Sequence, residues 1–360
     1  MRSATWEGLA NPDGTATKRF FDCFEDLSKG GIGLIVTSGF SVTNKAFAVP
    51  KQGAMFTKKH SDDWKPVIER IHKNGTKFVI QIVHGGPGSI DPTMKDHVPY
   101  VPTALTPDQH ELTIPEVESI VDEYANSAYL SYLAGADGIQ VHAAHYELLS
   151  FFLSPAKNHR TDKYGQNRAR IIDEIVTAIR AKVPESFSIS VKLNVNDFIP
   201  NGVTPNIASK YIATLKNKVD FFELSCGMEA RYFMMSDYNE KCAVRGVKKN
   251  KREEMKNIIK KAYEGVPFRR MYNLEAYRQL KKDHPEVHYA LVGGNRIFSE
   301  MENLVKNEGV DLISMSRPFI CNPHIINDFK DGKLDRADCI NCGSCLFNGD
   351  NGVYCHMPRV

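Results

Sequence analysis

The stretch PEVESIVDEYANSAYLSYLAGADGIQVHAAHYE, Pro115 to Glu147, decides the reading of this chain. Its first part, Pro115 to Ala134, is long and amphipathic, which predicts a helix; Gly138-Ile139-Gln140-Val141 is apolar and too short for one, which predicts a strand. A helix followed by a strand is the unit of an α/β protein, and the loop after a parallel strand faces the ligand crevice. Here that loop carries His142, His145, Tyr146 and Glu147. One histidine is often structural. Two histidines and an acid together at a strand end form a candidate reaction site.

The same unit repeats outward from this point. Short apolar strands are predicted at Ile32 to Val36, Lys77 to Val83, Ser188 to Leu193, Val219 to Leu224, Tyr289 to Val292 and Val310 to Met315, with Met1 to Thr5 the candidate eighth. Each is separated from the next by a segment able to hold a helix, for example Thr17 to Lys29, Trp64 to Asn74, Asn167 to Val183, Ile207 to Lys216 and Leu274 to Lys282. Alternation of this kind implies a parallel sheet with right-handed crossovers, and eight strands close it. An open doubly wound sheet also alternates, but it announces a dinucleotide site with G-x-G-x-x-G after its first strand. The chain has no such motif, and Gly30-Gly31-Ile32-Gly33 precedes a strand. The expected fold is therefore an α/β TIM (β/α)8 barrel over residues 1–331, with 226–271 a long, charged insertion able to act as a lid. Residues 332–360 form a cysteine-rich C-terminal extension.

The composition suits a soluble globular protein: 360 residues, 42% hydrophobic, 25% charged, with a formal charge of +3. Lys248-Lys249-Asn250-Lys251-Arg252 is basic but lacks an aromatic platform, so it is read as a solvated loop rather than a nucleic-acid site. No apolar run approaches the roughly 20 residues needed to span a bilayer. No signal peptide is read at the start, so a cytoplasmic location is expected. Of eight cysteines, Cys339, Cys342, Cys345 and Cys355 crowd the end of the chain, and in a reducing compartment such clustering indicates a metal site.

Barrels commonly bind phosphate with the loops after the seventh and eighth strands. These loops are Val292-Gly293-Gly294-Asn295-Arg296 and Met315-Ser316-Arg317-Pro318; the glycines admit close approach, and Arg317 can pair bidentately with an anion. Thr5, Ser38, Gln81 and Lys192 at other strand ends suit a flat heterocycle with carbonyl and imide edges better than a metal. A metal-dependent hydrolase using His142 and His145 as ligands would want carboxylates that these strand ends lack.

With these residues in place the chain resembles the old yellow enzyme family of FMN-dependent oxidoreductases. The resemblance runs through RSATWEGLA, QIVHGG, HAAHYELLSFFLSPAKNHRTDKYG, NRAR, VKLNVNDF, FELSCG, LVGG and SRPFICNP, nearly the whole chain. Relatives carry residues before RSAT, so a truncated first strand or a missing barrel floor is expected. The resemblance implies FMN at the carboxyl face, with Ser3, Ala4, Thr5 and Ser38 near the ring, Gln81 at its pyrimidine edge and Lys192 at N1/O2. It assigns the phosphate to Gly293, Gly294, Asn295, Ser316 and Arg317. His142 and His145 match the pair that grips an electron-withdrawing group of the substrate. The family's proton-donating tyrosine is replaced by Glu147, and the glycine before it by Tyr146. Glu147 could serve only if burial raised its pKa by about two to three units; otherwise Tyr146 takes that part, or the substrate is not an activated alkene.

The tail resembles the branch that includes dienoyl-CoA reductases and trimethylamine dehydrogenase. Cys339-x2-Cys342-x2-Cys345 with Cys355 implies a 4Fe-4S cluster, with zinc the alternative. The implied function is FMN-dependent reduction of an unsaturated, electron-poor small molecule, fed by NAD(P)H or an external electron-transfer protein. Amine dehydrogenation or demethylation, and a non-catalytic flavin-binding redox sensor, are the alternatives. A homo-oligomer is left open.

Overall fold

The computed structural model describes residues 1–360 except 90–97, 230, 231, 233, 234, 238–241, 243, 246, 264, 265, 347–351 and 357–360. The strands are β1 (Leu34–Ser41), β2 (Lys77–Val83), β3 (Tyr100–Val101), β4 (His110–Glu111), β5 (Gly138–Ala143), β6 (Ser188–Asn194), β7 (Phe221–Ser225), β8 (Tyr289–Val292) and β9 (Leu312–Ser314). Seven pair in parallel in the order β1-β2-β5-β6-β7-β8-β9, while β3 and β4 form a separate pair. The amino-terminal segment closes the curled sheet. Arg2 bridges in parallel to both Ile35 and Met315. Arg2 N donates to Leu34 O at 2.9 Å and Ser3 N to Met315 O at 2.8 Å. The expected eighth strand, Met1 to Thr5, thus takes the form of one bridging residue and its neighbours.

Helices cover the outside. They are α1 (Lys18–Lys29), α2 (Lys58–Lys73), α3 (Ile114–Leu133), α4 (Leu148–Leu153), α5 (Lys163–Gln166), α6 (Arg170–Arg180), α7 (Pro205–Leu215), α8 (Arg252–Tyr263), α9 (Leu274–Asp283), α10 (Phe298–Glu308), α11 (Arg317–Cys321) and α12 (Ile325–Lys330). In α6 the apolar residues Ile171, Ile172, Ile175, Val176 and Ile179 recur at helical spacing, and all are buried. Trp64 of α2 fills the space between layers, meeting Phe20 at 5.3 Å and Phe24 at 5.6 Å between ring centroids. Among the described residues no helix is long and apolar enough to cross a membrane.

Several expected boundaries move. The first predicted strand, Ile32 to Val36, is instead Leu34–Ser41. Its continuation is Thr37-Ser38-Gly39-Phe40-Ser41, small or polar apart from Phe40 yet buried apart from half-buried Gly39, so apolar content underestimates it. The helix expected at Trp64 begins earlier, at Lys58, because Thr57 and His60 form a capping box. α10 fills the helical segment expected between β8 and β9. The 226–271 segment is described only in part; it contains α8, and Tyr232 stacks on Phe198 with ring centroids 5.1 Å apart.

Candidate active site

At the carboxyl ends of the strands lies a cavity of about 470 Å³. Every residue expected at the ring, the phosphate and the reaction centre lines it, from Ser3, Ala4 and Thr5 round to Ser316 and Arg317. Strand register explains the convergence: His142 on β5 is level with Lys192 on β6, which is level with Glu223 on β7. Gln81 on β2 is likewise level with Gln140 on β5 and donates to it, Nε2 to Oε1, at 2.7 Å.

His142 and His145 face each other edge to face, with ring centroids 5.1 Å apart. His145 has φ +65°, an uncommon backbone conformation for a residue with a side chain. Its N–H donates to Asn194 Oδ1 at 3.2 Å, its Nε2 lies 2.9 Å from Ser225 Oγ, and its carbonyl accepts from Ser150 Oγ at 2.7 Å. His142 Nδ1 is buried without a hydrogen-bond partner. Burial, with the Lys192 ammonium nearby, pushes His142 down to about 3. Burial, His142 and Lys192 together hold His145 well below its ordinary value. Both imidazoles are therefore neutral at neutral pH. A neutral imidazole carries one N–H and one acceptor nitrogen, and the unpartnered Nδ1 is on His142.

Glu147 ends this wall as the residue preceding α4. Its Oε2 is sealed from solvent and has no hydrogen-bond partner. Burial pushes its carboxyl up to about 8, so it carries a proton at neutral pH. Tyr146 stands at the cavity rim, 45% exposed, with its ring edge-on to Phe151 at 5.0 Å.

The opposite demand, for a negative charge, arises at the β8 and β9 loops. Gly293 and Gly294 have φ of +122° and +77°. A Cβ at Gly294 would collide with Arg269 O, and one at Gly293 would lie 2.5 Å from the Tyr272 ring. Packing thus requires glycine at both positions, and both line the cavity. Asn295 commits its amide to the frame, donating to Leu291 O at 2.8 Å and Ser314 O at 3.0 Å; its Oδ1 is unpartnered. Ser316 Oγ is 2.7 Å from Thr5 Oγ1. Arg317 donates to Ser236 Oγ at 2.6 Å and Met235 O at 2.7 Å, so it ties this end to the 226–271 segment.

The residue set fits FMN on the observations above. Two guanidinium groups and bare glycine backbone border one end. Ser38 Oγ at the other end, and Asn295 Oδ1 and Arg296 Nε at this one, are buried polar atoms of the lining with no hydrogen-bond partner, as a cradle for a polar ligand would leave them. Sequence reasoning passed over several of these residues. Arg296 is buried, lines the cavity, and has an unpartnered Nε while Nη1 donates to Cys339 O at 2.6 Å. It stands in the quoted β8 loop and could have been found there. Ser225, which lines the cavity, is hidden as a polar residue at the end of an apolar strand, and so is Gln140, which holds Gln81 from behind, in the middle of another.

Cys339, Cys342, Cys345 and Cys355 border a second, small cavity, and Arg317 lines both. None of the four is in a disulfide. Burial pushes Cys345 up to about 12 and raises Cys342. Among the described residues, no group of three or more histidine, cysteine or acidic side chains is arranged to hold a metal ion. The thiols surround a common space without converging on a point.

Comparison with known proteins agrees with this geometry. The NADH-dependent flavin oxidoreductase nadA of Aspergillus parasiticus is 28% identical over 359 residues, covering 93% of this chain and 74% of the relative. Among solved structures, a 2-naphthoyl-CoA reductase in complex with 2-naphthoyl-CoA superposes with a TM-score of 0.79 at 21% identity. The match covers 96% of this chain but 51% of that one, so the present chain spans about half its length. The old yellow enzyme homologue of Zymomonas mobilis superposes with a TM-score of 0.70 at 20% identity, covering 95% of this chain and 91% of its own. Residues 1–335 match the family described as NADH:flavin oxidoreductase / NADH oxidase, and the chain belongs to that family, as an FMN-dependent oxidoreductase of the old yellow enzyme type.

Proposed function

We propose that this cavity reduces an unsaturated small molecule carrying an electron-withdrawing group. The observation that carries the reading is the single wall formed by two neutral imidazoles and a protonated, sealed carboxyl, His142, His145 and Glu147. Neutral imidazole N–H groups donate to a carbonyl or similar oxygen and polarise the conjugated double bond. Glu147 then delivers a proton to the carbon next to that group. Thr5, Ser38, Gln81 and Lys192 hold the ring of FMN, with the Ser3 and Ala4 segment against it. Gly293, Gly294, Asn295, Ser316, Arg317 and, in addition, Arg296 hold its phosphate. Bound FMN supplies the hydride chemistry.

Electrons arrive from NADH, NADPH or an external carrier. The shared cavity of Cys339, Cys342, Cys345 and Cys355 supports a four-iron cluster as the entry for one-electron delivery, with zinc the other occupant that four thiols suit. The 226–271 segment, tied to Arg317 through Met235 and Ser236, acts as a lid on this reading.

The test is a turnover screen on FMN-loaded protein reduced by NADH or NADPH, offering α,β-unsaturated carbonyls against methylated amines. Reoxidation by the unsaturated carbonyls, with the saturated product recovered, supports the proposal. Oxidation of the amines alone would replace it with an amine dehydrogenase. Reduced flavin that no substrate reoxidises would indicate a sensor.

A further inference from the structure

Lys192 has a second buried neighbour that the cavity does not touch. Glu223, on β7, is 0% exposed and lies at the same level as Lys192 on β6. Lys192 Nζ is 3.6 Å from Glu223 Oε2 and donates to Ser3 Oγ at 2.9 Å. Ser314 Oγ, from β9, donates to Glu223 Oε1 at 2.7 Å, while Oε2 accepts no hydrogen bond. Lys192 lines the cavity and Glu223 does not, so the carboxylate stands behind the ammonium.

Purely structural reasons do not account for this acid. The rest of β7 is Phe221, Phe222, Leu224 and Ser225, and an apolar side chain would fill the position without desolvating a charge. A buried carboxylate with one hydrogen bond and one ion pair is an expensive way to hold three strands together. Its effect on Lys192 is to fix the ammonium between Ser3 and β7 and to offset the positive charge presented to the cavity.

We propose that Glu223 is a positioning residue that, through Lys192, sets how strongly the cavity prefers reduced over oxidised flavin. This rests on the FMN reading of the cavity. Oxidised FMN takes up two electrons and one proton and gains one negative charge, which a cation beside the ring stabilises. With Glu223 beside it, Lys192 stabilises that charge less than a lone ammonium would.

The measurement is an equilibrium redox titration of the FMN-loaded protein against reference dyes, for the wild type, Glu223→Gln, Lys192→Met and the double variant. Glu223→Gln is expected to favour reduced over oxidised flavin by about tenfold, a rise of about 30 mV in the two-electron potential. Lys192→Met lowers the potential, and the double variant departs from the sum of the two single changes because the residues act as a pair. If Glu223→Gln does not fold, Glu223→Asp retracts the carboxylate and gives a smaller rise. An unchanged or lowered potential in a flavin-loaded Glu223 variant overturns the inference and leaves the FMN site standing. A wild-type protein that takes up no FMN overturns both.

Discussion

Asn194 holds His145 by its backbone: Oδ1 accepts the His145 N–H at 3.2 Å, and Nδ2 donates to Asp197 Oδ1 at 3.0 Å. The end of β6 therefore sets the position of a residue on the loop after β5, in a conformation with φ +65°. Removing that acceptor with Asn194→Ala frees a strained turn. If His145 anchors substrate, KM rises by roughly five- to tenfold, the value of one lost hydrogen bond, with a smaller change in kcat. The flavin spectrum stays the same, since Asn194 does not line the cavity. Steady-state kinetics with the flavin content measured in parallel would show a KM unmoved if the anchor reading were wrong.

Glu147 predicts a pH dependence with a definite sign. Burial pushes its folded-state carboxyl up to about 8 from 4.5. As proton donor it supports turnover below that value, and the rate falls as pH rises through about 8. Glu147→Gln removes both the rate and this limb, while Glu147→Tyr restores part of the rate. The same shift affects stability. Between the unfolded and folded pKa values the folded chain binds the extra proton, so the contribution is complete below about 4.5 and is lost as pH rises through about 8. Glu147→Gln should therefore gain stability over the wild type at about pH 9 and not at about pH 4. Urea unfolding at both values, with no difference between them, would place the carboxyl in water.

The tail is tested by its contents. If Cys339, Cys342, Cys345 and Cys355 hold a cluster, anaerobically purified protein contains about four iron and about four acid-labile sulphides per chain. Cys342→Ser lowers both and leaves FMN bound, because the thiols border a cavity separate from that of the ring. About one zinc per chain without sulphide would select the structural alternative.

Most of the barrel was legible because its strands are apolar and its helices amphipathic, as in β2 and α6. Where the strands bear polar groups inward, the pattern failed. β1 was cut short at Thr37, β5 was stopped before His142, and Gln140 went unnoticed in the middle of its strand. Glu223 had a readable signal: an acid within the apolar run of a parallel strand buried on both faces needs a partner. The site residues could be named from the loops, but the neutrality of the histidines and the proton on Glu147 depend on burial, which one sequence does not express. The NHRTDKYG end of the run that begins at His142 is support rather than chemistry. Asn158 Nδ2 donates to Phe152 O at 2.8 Å and Tyr164 O at 3.0 Å, and Asp162 caps α5.

Arg160 makes that supporting role testable. Its Nη1 donates to Pro102 O at 2.9 Å and also to Leu112 O, while its other nitrogens pair with Asp162. One planar guanidinium thus ties the β3–β4 excursion to the loop before α5. Arg160→Leu leaves two carbonyls and a carboxylate without their donor and should cost about 3 kcal/mol of stability. Arg160→Lys should recover little of it, since an ammonium cannot reproduce the fork. The folded fraction keeps its FMN and its KM, because Arg160 does not reach the cavity. Thermal or urea unfolding beside flavin content and kinetics separates the cases: a variant of full stability with impaired turnover would move Arg160 from the scaffold to the reaction.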